Sequence, residues 1–488
     1  MQPLPDESFD KPALMFTAKF VLGVALLVSV AHWGTAFGAE AVIAVAFREV
    51  PDIEQQIEEV KVLRELRSYG EVRLLEKMEE YKSTLASRVI GSTSIDSLVS
   101  DGKFIGADLS AMKLYLFEDG HAIAEYDIQS KGKRGSRWET PTGLYEIQTK
   151  EEDHFSSIGE VHMPKAMQFF GNFFIHGWPF YPDGTPVSEG YSGGCIRLLT
   201  DDATEVFEFA EYRTPIFVWE DDSSVNAEGS ASSTAISLGE KALPKVSANA
   251  FLVADIKTGE VYAEHNADTV LPIASISKLM TALVANETIH YDRKLAVTAD
   301  DRKQTEGTPG SILSGDEFTV GDLIYALLME SNNSVAYALA RYNGANNFLD
   351  LMNEKARAIG MTQTNFDDPS GISTNNRATV NDLFVLTRYI FNSQSFILNV
   401  SKEKGKTILA ESGRKYSLGN FNVFADNPKF LGGKTGYTDA ARETMTTVWD
   451  VSVDGQPATV AIIVLGSSDR KKDVEKLLAW FKASATTE

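Results

Sequence analysis

Residues 274–289 read ASISKLMTALVANETI. The apolar spacing is helical, and it places Ser275 and Lys278 three positions apart. Residues i and i+3 share a helix face, so the Lys278 amine can reach the Ser275 hydroxyl. A lysine that is desolvated beside another cation loses proton affinity and can take the serine proton. The spacing alone is a weak signal. Ser-x-x-Lys also begins at Ser110, Ser130, Ser401, Ser412 and Ser468.

Outward from this helix, the stretches FLVAD (251–255) and GEVYAEH (259–265) alternate like strands of a hairpin. Further helices are expected at 275–289, 320–330, 333–342 and 346–359. The chain closes with the strand-like TMTTVWDV and ATVAIIVLG, then the helical DVEKLLAWFKAS. Strands at both ends with helices between predict an α+β domain over 248–486 whose terminal strands share one sheet. Ser331-Asn332-Asn333 opens one of the helices, and Lys434-Thr435-Gly436 follows far downstream. Two look-alikes are set aside. Lys257-Thr258-Gly259 reads as a hairpin turn, and Ser373-Thr374-Asn375 as a loop.

Upstream, residues 101–220 have a different texture. KFIGADL, MKLYLFE and HAIAEYDI read as strands, and Asp119-Gly120 as a two-residue hairpin turn. A helix is expected from Thr200 to about Tyr212, and PIFVW closes the unit. Residues 221–247 are Ser/Ala-rich and read as a linker. The chain's one cysteine, Cys195, follows Gly193-Gly194 and precedes Arg197. A nucleophilic thiol needs a base nearby, which His176 can supply. The glycines let backbone N–H groups approach a reacting carbonyl. Arg197 suits a substrate carboxylate. A buried structural cysteine beside a core histidine is the bland alternative.

The first 49 residues hold an uncharged run, FVLGVALLVSVAHWGTAFGA at 20–39. Twenty helical residues span roughly 30 Å, the hydrocarbon thickness of a bilayer. This predicts a membrane anchor, or a signal segment cleaved near Ala39-Glu40-Ala41. Lys11 and Lys19 precede the run, which favours the bulk of the chain outside the cytoplasm. Residues 50–92 carry apolar positions from Ile53 to Leu85 at steps of three and four, broken near Gly70. They read either as a charged amphipathic stalk or as a helix packed on its own domain.

The net charge of −22 over 488 residues repels phosphate backbones and argues against nucleic acid. A lone cysteine forms no intramolecular disulfide. No histidine pairing has metal-ligand spacing, so no metal or other cofactor is expected.

Two resemblances sharpen these readings. The order Ser275-x-x-Lys278, Ser331-x-Asn333, Lys434-Thr435-Gly436 resembles penicillin-binding proteins and serine β-lactamases. Met352-Asn353-Glu354-Lys355-Ala356, Ile359-Gly360-Met361, Phe366 with Asp368-Pro369, and Gly436-Tyr437-Thr438 are most similar to the serine-type D-alanyl-D-alanine carboxypeptidases. That resemblance implies Ser275 as the acylated nucleophile, Lys278 as its base and Ser331 as a proton relay. It implies Asn333, Lys434, Thr435 and Gly436 as substrate contacts, with Arg470 or Lys472 assisting at the carboxylate. It also implies β-lactams as covalent inhibitors. A class A β-lactamase is disfavoured, because Ser395 stands where the deacylating Glu would precede Leu398-Asn399.

The first unit, with Thr140-Pro141-Thr142-Gly143, His176-Gly177 and Ser192-Gly193-Gly194-Cys195, resembles the YkuD-type L,D-transpeptidases. That resemblance implies a mostly-β sandwich, Cys195 as nucleophile, His176 as general base, and Ser192, Gly194 and Arg197 shaping the site. Gly193 departs from the family, where His is usual. The whole is expected to be a multidomain envelope enzyme: a membrane helix and stalk, a β-sandwich, then a penicillin-binding-protein-like α+β domain. It would act on peptidoglycan stem peptides, with the linker holding the second site at high effective concentration near the first.

Overall fold

The strand Lys103–Asp108 (β1) is buried on both faces, as its near-continuous apolar sequence demands. It pairs antiparallel with Lys113–Glu118 (β2) and parallel with the closing strand Pro215–Trp219 (β9). β2 turns into His121–Asp127 (β3) through Asp119 and Gly120. Both turn residues have positive φ, 49° and 82°, as the expected tight hairpin requires. Gly143–Glu146 (β4) completes a five-stranded sheet in the order β3-β2-β1-β9-β4. A second sheet runs Thr149–Ser156 (β5), Val161–Phe170 (β6), Phe173–His176 (β7) and Ile196–Arg197 (β8). Ile105, Leu114 and Leu116 of the first sheet share a core with Met167, Phe169 and Ile175 of the second. The helix Thr200–Phe209 adds Ala203 and Val206 to it.

This computed structural model describes residues 72–78, 102–220, 236–239 and 241–487. The apolar run at 20–39 lies outside them, as does most of the 50–92 stretch. Among the described residues no helix is long and apolar enough to cross a membrane. The described piece, 72–78, is helical. Leu74 and Met78 bury against Phe104, Tyr115, Phe117 and Trp219, so this piece packs on the first domain rather than standing clear as a stalk.

The second domain has the expected plan. Its central sheet runs Val261–His265, Ala250–Asp255, Gln456–Ser467, Arg442–Val453, Phe430–Thr438. Strands from both ends of the domain are therefore neighbours. The helices Lys278–Thr288, Val320–Met329, Asn333–Tyr342 and Ala345–Ala358 fall where the periodicity put them. Val380–Ser393 was not foreseen, although Thr379 caps it by accepting from Asp382 N.

Residues 221–235 of the expected linker lie outside the described residues, while its C-terminal end is built into the second domain. Ile236–Leu238 pairs with Ala485–Thr487 as a small sheet, and Ser247 is held by Asp473. Nor are the two catalytic domains merely tethered, for residues 70–488 form one unit. Lys355, fully buried, pairs with Glu287 at 2.8 Å and donates to Tyr389 and to Tyr145 of the first domain, each at 2.9 Å. Gln148 donates to Glu354. The Arg137 guanidinium lies 3.2 Å over the Tyr291 ring, and Trp138 packs on His290. A Cβ on Gly143 would stand 2.6 Å from Ala358 O, so glycine permits the close approach. Desolvating a lysine is costly unless its charge is paired; Glu287 pairs Lys355 within the second domain, and Tyr145 accepts its bond across the boundary.

Candidate active sites

A 3-10 turn, Ala274–Ser277, leads directly into the helix Lys278–Thr288. In such a turn residues three apart eclipse. Lys278 Nζ thus stands 2.9 Å from Ser275 Oγ. It also donates to Asn333 Oδ1 at 2.7 Å and Ser370 O at 2.5 Å. Burial pulls the Lys278 amine down to about 7, against the opposing pull of the Asp368 carboxylate. An amine in that range accepts a proton at neutral pH.

Ser331 and Lys434 form the opposite wall. Lys434 Nζ donates to Ser331 Oγ at 3.0 Å and to Thr435 O at 2.8 Å. Burial first, then the charges of Lys278 and Arg470, hold Lys434 well below the usual lysine range. Arg470 Nη1 donates to Gly436 O at 2.7 Å, so of the two basic residues left open by the sequence Arg470 is bonded to this strand. Lys472 instead offers its backbone N–H to Asp469, the cap of the C-terminal helix. Lys434, Thr435 and Gly436 lie on Phe430–Thr438, the terminal strand of the sheet. A Cβ at Gly436 would stand 2.9 Å from Ser275 N, so the strand and the serine turn touch only because this residue is glycine. Ala274 and Ser331 hold left-handed φ values of 50° and 55°. Such strain costs on the order of 1–3 kcal/mol per residue and is retained where surrounding structure enforces it.

Three contributors escaped sequence reasoning. Thr308 accepts from Asn333 Nδ2 through O at 2.8 Å and Oγ1 at 2.9 Å. Ser370 supplies a carbonyl to Lys278, and Asp368 shapes the loop that carries it. Thr308 had no pattern to reveal it. Asp368-Pro369-Ser370-Gly371 did have a turn composition, but no spacing that tied it to Lys278.

The cysteine site is built on parallel strands. β7 and β8 pair with Ile175 opposite Ile196 and His176 opposite Arg197. Cys195 precedes β8 and is only 9% exposed. Ser192 Oγ donates to Cys195 O at 2.6 Å and accepts from Gly194 N at 3.0 Å, pinning the turn. Thr140 Oγ1 donates to Gly194 O at 2.8 Å. Gly194 has φ of 105°, and a Cβ there would strike the Phe173 ring. Gly193 is different: it is exposed and a Cβ would meet nothing within 4 Å. The missing histidine is therefore not excluded by crowding.

Burial pushes the Cys195 thiol up to about 11 and the His176 imidazole down to about 4. Both are neutral at pH 7. His176 Nδ1 donates to Gly177 O at 2.6 Å, which leaves Nε2 as the proton acceptor. No hydrogen bond joins His176 to Cys195 among the described residues. The thiol instead faces Asn172 O at 3.8 Å. Asn172 in turn donates to Thr288 O at 2.7 Å, across the domain boundary. Arg197 is half-buried, and its Nε makes no hydrogen bond among the described residues.

The comparisons with known proteins match this division. The family model of D-alanyl-D-alanine carboxypeptidases (Peptidase_S11) matches residues 238–468. A D-alanyl-D-alanine endopeptidase of Pseudomonas aeruginosa is 30% identical over 245 residues, covering 48% of this chain and 77% of the relative. One from Escherichia coli is 29% identical over 251 residues, covering 49% and 78%. A solved D-alanyl-D-alanine carboxypeptidase from Mycobacterium tuberculosis aligns at 25% identity with a TM-score of 0.46, covering 51% of this chain and 98% of that one. The chain belongs to the D-alanyl-D-alanine carboxypeptidase family. Its residues 102–218 match a second family model, the YkuD-type L,D-transpeptidase catalytic domain.

Proposed function

We propose that the chain is a bifunctional peptidoglycan enzyme acting outside the cytoplasm. In this reading the serine domain removes the terminal D-Ala from pentapeptide stems. Ser275 Oγ attacks the carbonyl between the two D-Ala residues while Lys278 takes its proton. The proton passes through Ser331 to the departing amine, and water releases the tetrapeptide. Asn333 holds the peptide, and Lys434, Thr435 and Arg470 receive the terminal carboxylate. The observation that supports this most directly is the 2.9 Å contact between a buried, low-pKa Lys278 and Ser275, opposite the Ser331–Lys434 pair.

The cysteine domain then uses the tetrapeptide as acyl donor. Cys195 attacks the carbonyl of the third residue, its proton passes to His176 Nε2, and D-Ala leaves carrying that proton. The amine of another stem attacks the thioester and restores the thiol. For this the thiol turns from Asn172 O toward the imidazole. β-lactams, as acylating mimics of the D-Ala terminus, are expected to modify Ser275, and carbapenems also Cys195.

The test uses purified pentapeptide muropeptides. Ser275→Ala should abolish tetrapeptide formation, and Cys195→Ala should let tetrapeptide accumulate without crosslinks. Crosslinks formed by the Cys195→Ala protein would refute the scheme. A second reading follows from the names of the endopeptidase relatives: the serine domain would cut existing crosslinks rather than trim stems. Supplying D-Ala-crosslinked dimers distinguishes the two, since only an endopeptidase converts them to monomers.

A further inference from the structure

We infer that Asp368 is a positioning residue of the serine site, folding the 368–373 loop so that the Ser370 carbonyl holds Lys278 against Ser275. The inference rests on the reading of Lys278 as the base. Asp368 is buried, yet its carboxylate is not a stray charge. Oδ1 accepts from Ser370 N at 2.6 Å, Ser370 Oγ at 2.6 Å and Gly371 N at 2.7 Å. Oδ2 accepts from Ser373 N at 2.7 Å. Four donors thus converge on one buried carboxylate, and charge-assisted bonds of this kind fix a loop tightly.

The loop has two points of contact with the reacting residues. Ser370 O accepts from Lys278 Nζ at 2.5 Å. Gly371, at φ of 83°, sits so close to the Ala274 carbonyl that a Cβ would collide with it. Asn376 reinforces the arrangement, donating to Asp368 O at 2.8 Å and to Ser277 Oγ at 2.9 Å. The turn that presents Ser275 and the carbonyl that aims Lys278 are therefore one hydrogen-bonded body with Asp368 inside it.

The charge matters as well as the geometry. Desolvation lowers the Lys278 proton affinity, and Asp368 is the charged group that raises it. Lys434, on the facing strand, stands close enough to feel the Lys278 charge and is itself near Arg470. Tyr337, on the helix Asn333–Tyr342, lies against Ser370 and feels Asp368, Glu306 and Asp367. Removing the Asp368 charge alone therefore lets Lys278 deprotonate at lower pH.

The experiment measures the rate of Ser275 acylation by benzylpenicillin against pH, using the full chain. In Asp368→Asn the acid limb should move to lower pH, and the limiting rate should fall about tenfold as the Ser370 carbonyl loosens. A rate loss with an unmoved limb would mark Asp368 as merely structural and overturn the inference. So would a profile identical to the parent. If Asp368→Asn does not fold, Ser370→Ala removes one of the four donors and keeps the carboxylate. A labelling rate about threefold lower supports the inference, and a parental rate overturns it. Absence of labelling in the parent, or normal labelling in Lys278→Ala, refutes the base assignment and this inference with it. A normal parent with an unaltered Asp368→Asn profile refutes only the role of Asp368.

Discussion

Lys278 Nζ stands 2.9 Å from Ser275 Oγ, whereas Cys195 Sγ faces a backbone carbonyl and has no hydrogen bond to His176. Both sites bury a base and thereby lower its proton affinity, but the consequences differ. A lysine needs that help, because an ordinary amine is protonated at neutral pH. Desolvation brings Lys278 to about 7, where an amine can accept a proton at neutral pH. A histidine does not need it, and burial carries His176 to about 4 while the thiol rises to about 11. The serine and its lysine are already in hydrogen-bond contact, while the cysteine site rests in a neutral thiol–imidazole state. One penalty, desolvation, thus activates one base and quiets the other.

The largest effect that would sharpen this contrast is a reciprocal knockout. Ser275→Ala and Cys195→Ala should each depress their own reaction on the order of 10³-fold or more and leave the other within about twofold. Separate mass-spectrometric labelling of the two nucleophiles reads this directly, and cross-inactivation would break the picture of two independent sites. Next is the buried pair of the second domain whose lysine also reaches Tyr145 of the first. Lys355→Met leaves Glu287 unpaired and should destabilise the fold by about 3–5 kcal/mol, measured by urea denaturation. Adding Glu287→Leu should recover most of that loss. Failure to recover would mean that Tyr145 and Tyr389, not the charge pair, dominate the junction.

The pH contrast is smaller. Serine acylation requires neutral Lys278, so its rate should fall about tenfold from its plateau by pH 6. Cysteine acylation by a carbapenem requires neutral His176 and should be flat over the same range, with its acid limb near 4. Parallel profiles would refute the contrast. The smallest effect concerns Gly193→His. Open space at this position predicts an unchanged melting temperature and a cysteine acylation rate about threefold higher. A destabilised variant would show that the loop is less open than its geometry implies.

Local chemistry was the legible part. Ser275 and Lys278 meet because they are three residues apart on one turn, and Asp119-Gly120 turns as it does because both residues tolerate positive φ. The alternation of β1 to β3 and the helix at Asn333–Tyr342 could likewise be read from short-range pattern. Asp368 could not be assigned, because its partners lie within its own loop while its effect falls on Lys278, 90 residues earlier.

By itself, the sequence pointed to Ser275 and Cys195 as candidate nucleophiles, to Lys278 and His176 as candidate bases, and to the plan of each domain. The plan of each domain follows from spacing and periodicity, which act over a few residues, whereas the roles of the four residues are what the two family resemblances imply. Only the tertiary structure decided that Lys434 meets Ser331, that Arg470 rather than Lys472 bonds the strand Phe430–Thr438, and that a buried lysine of the second domain reaches Tyr145 of the first. The reason is physical. Desolvation and long-range contact depend on what packs around a group, and no local pattern states which surfaces will be dry.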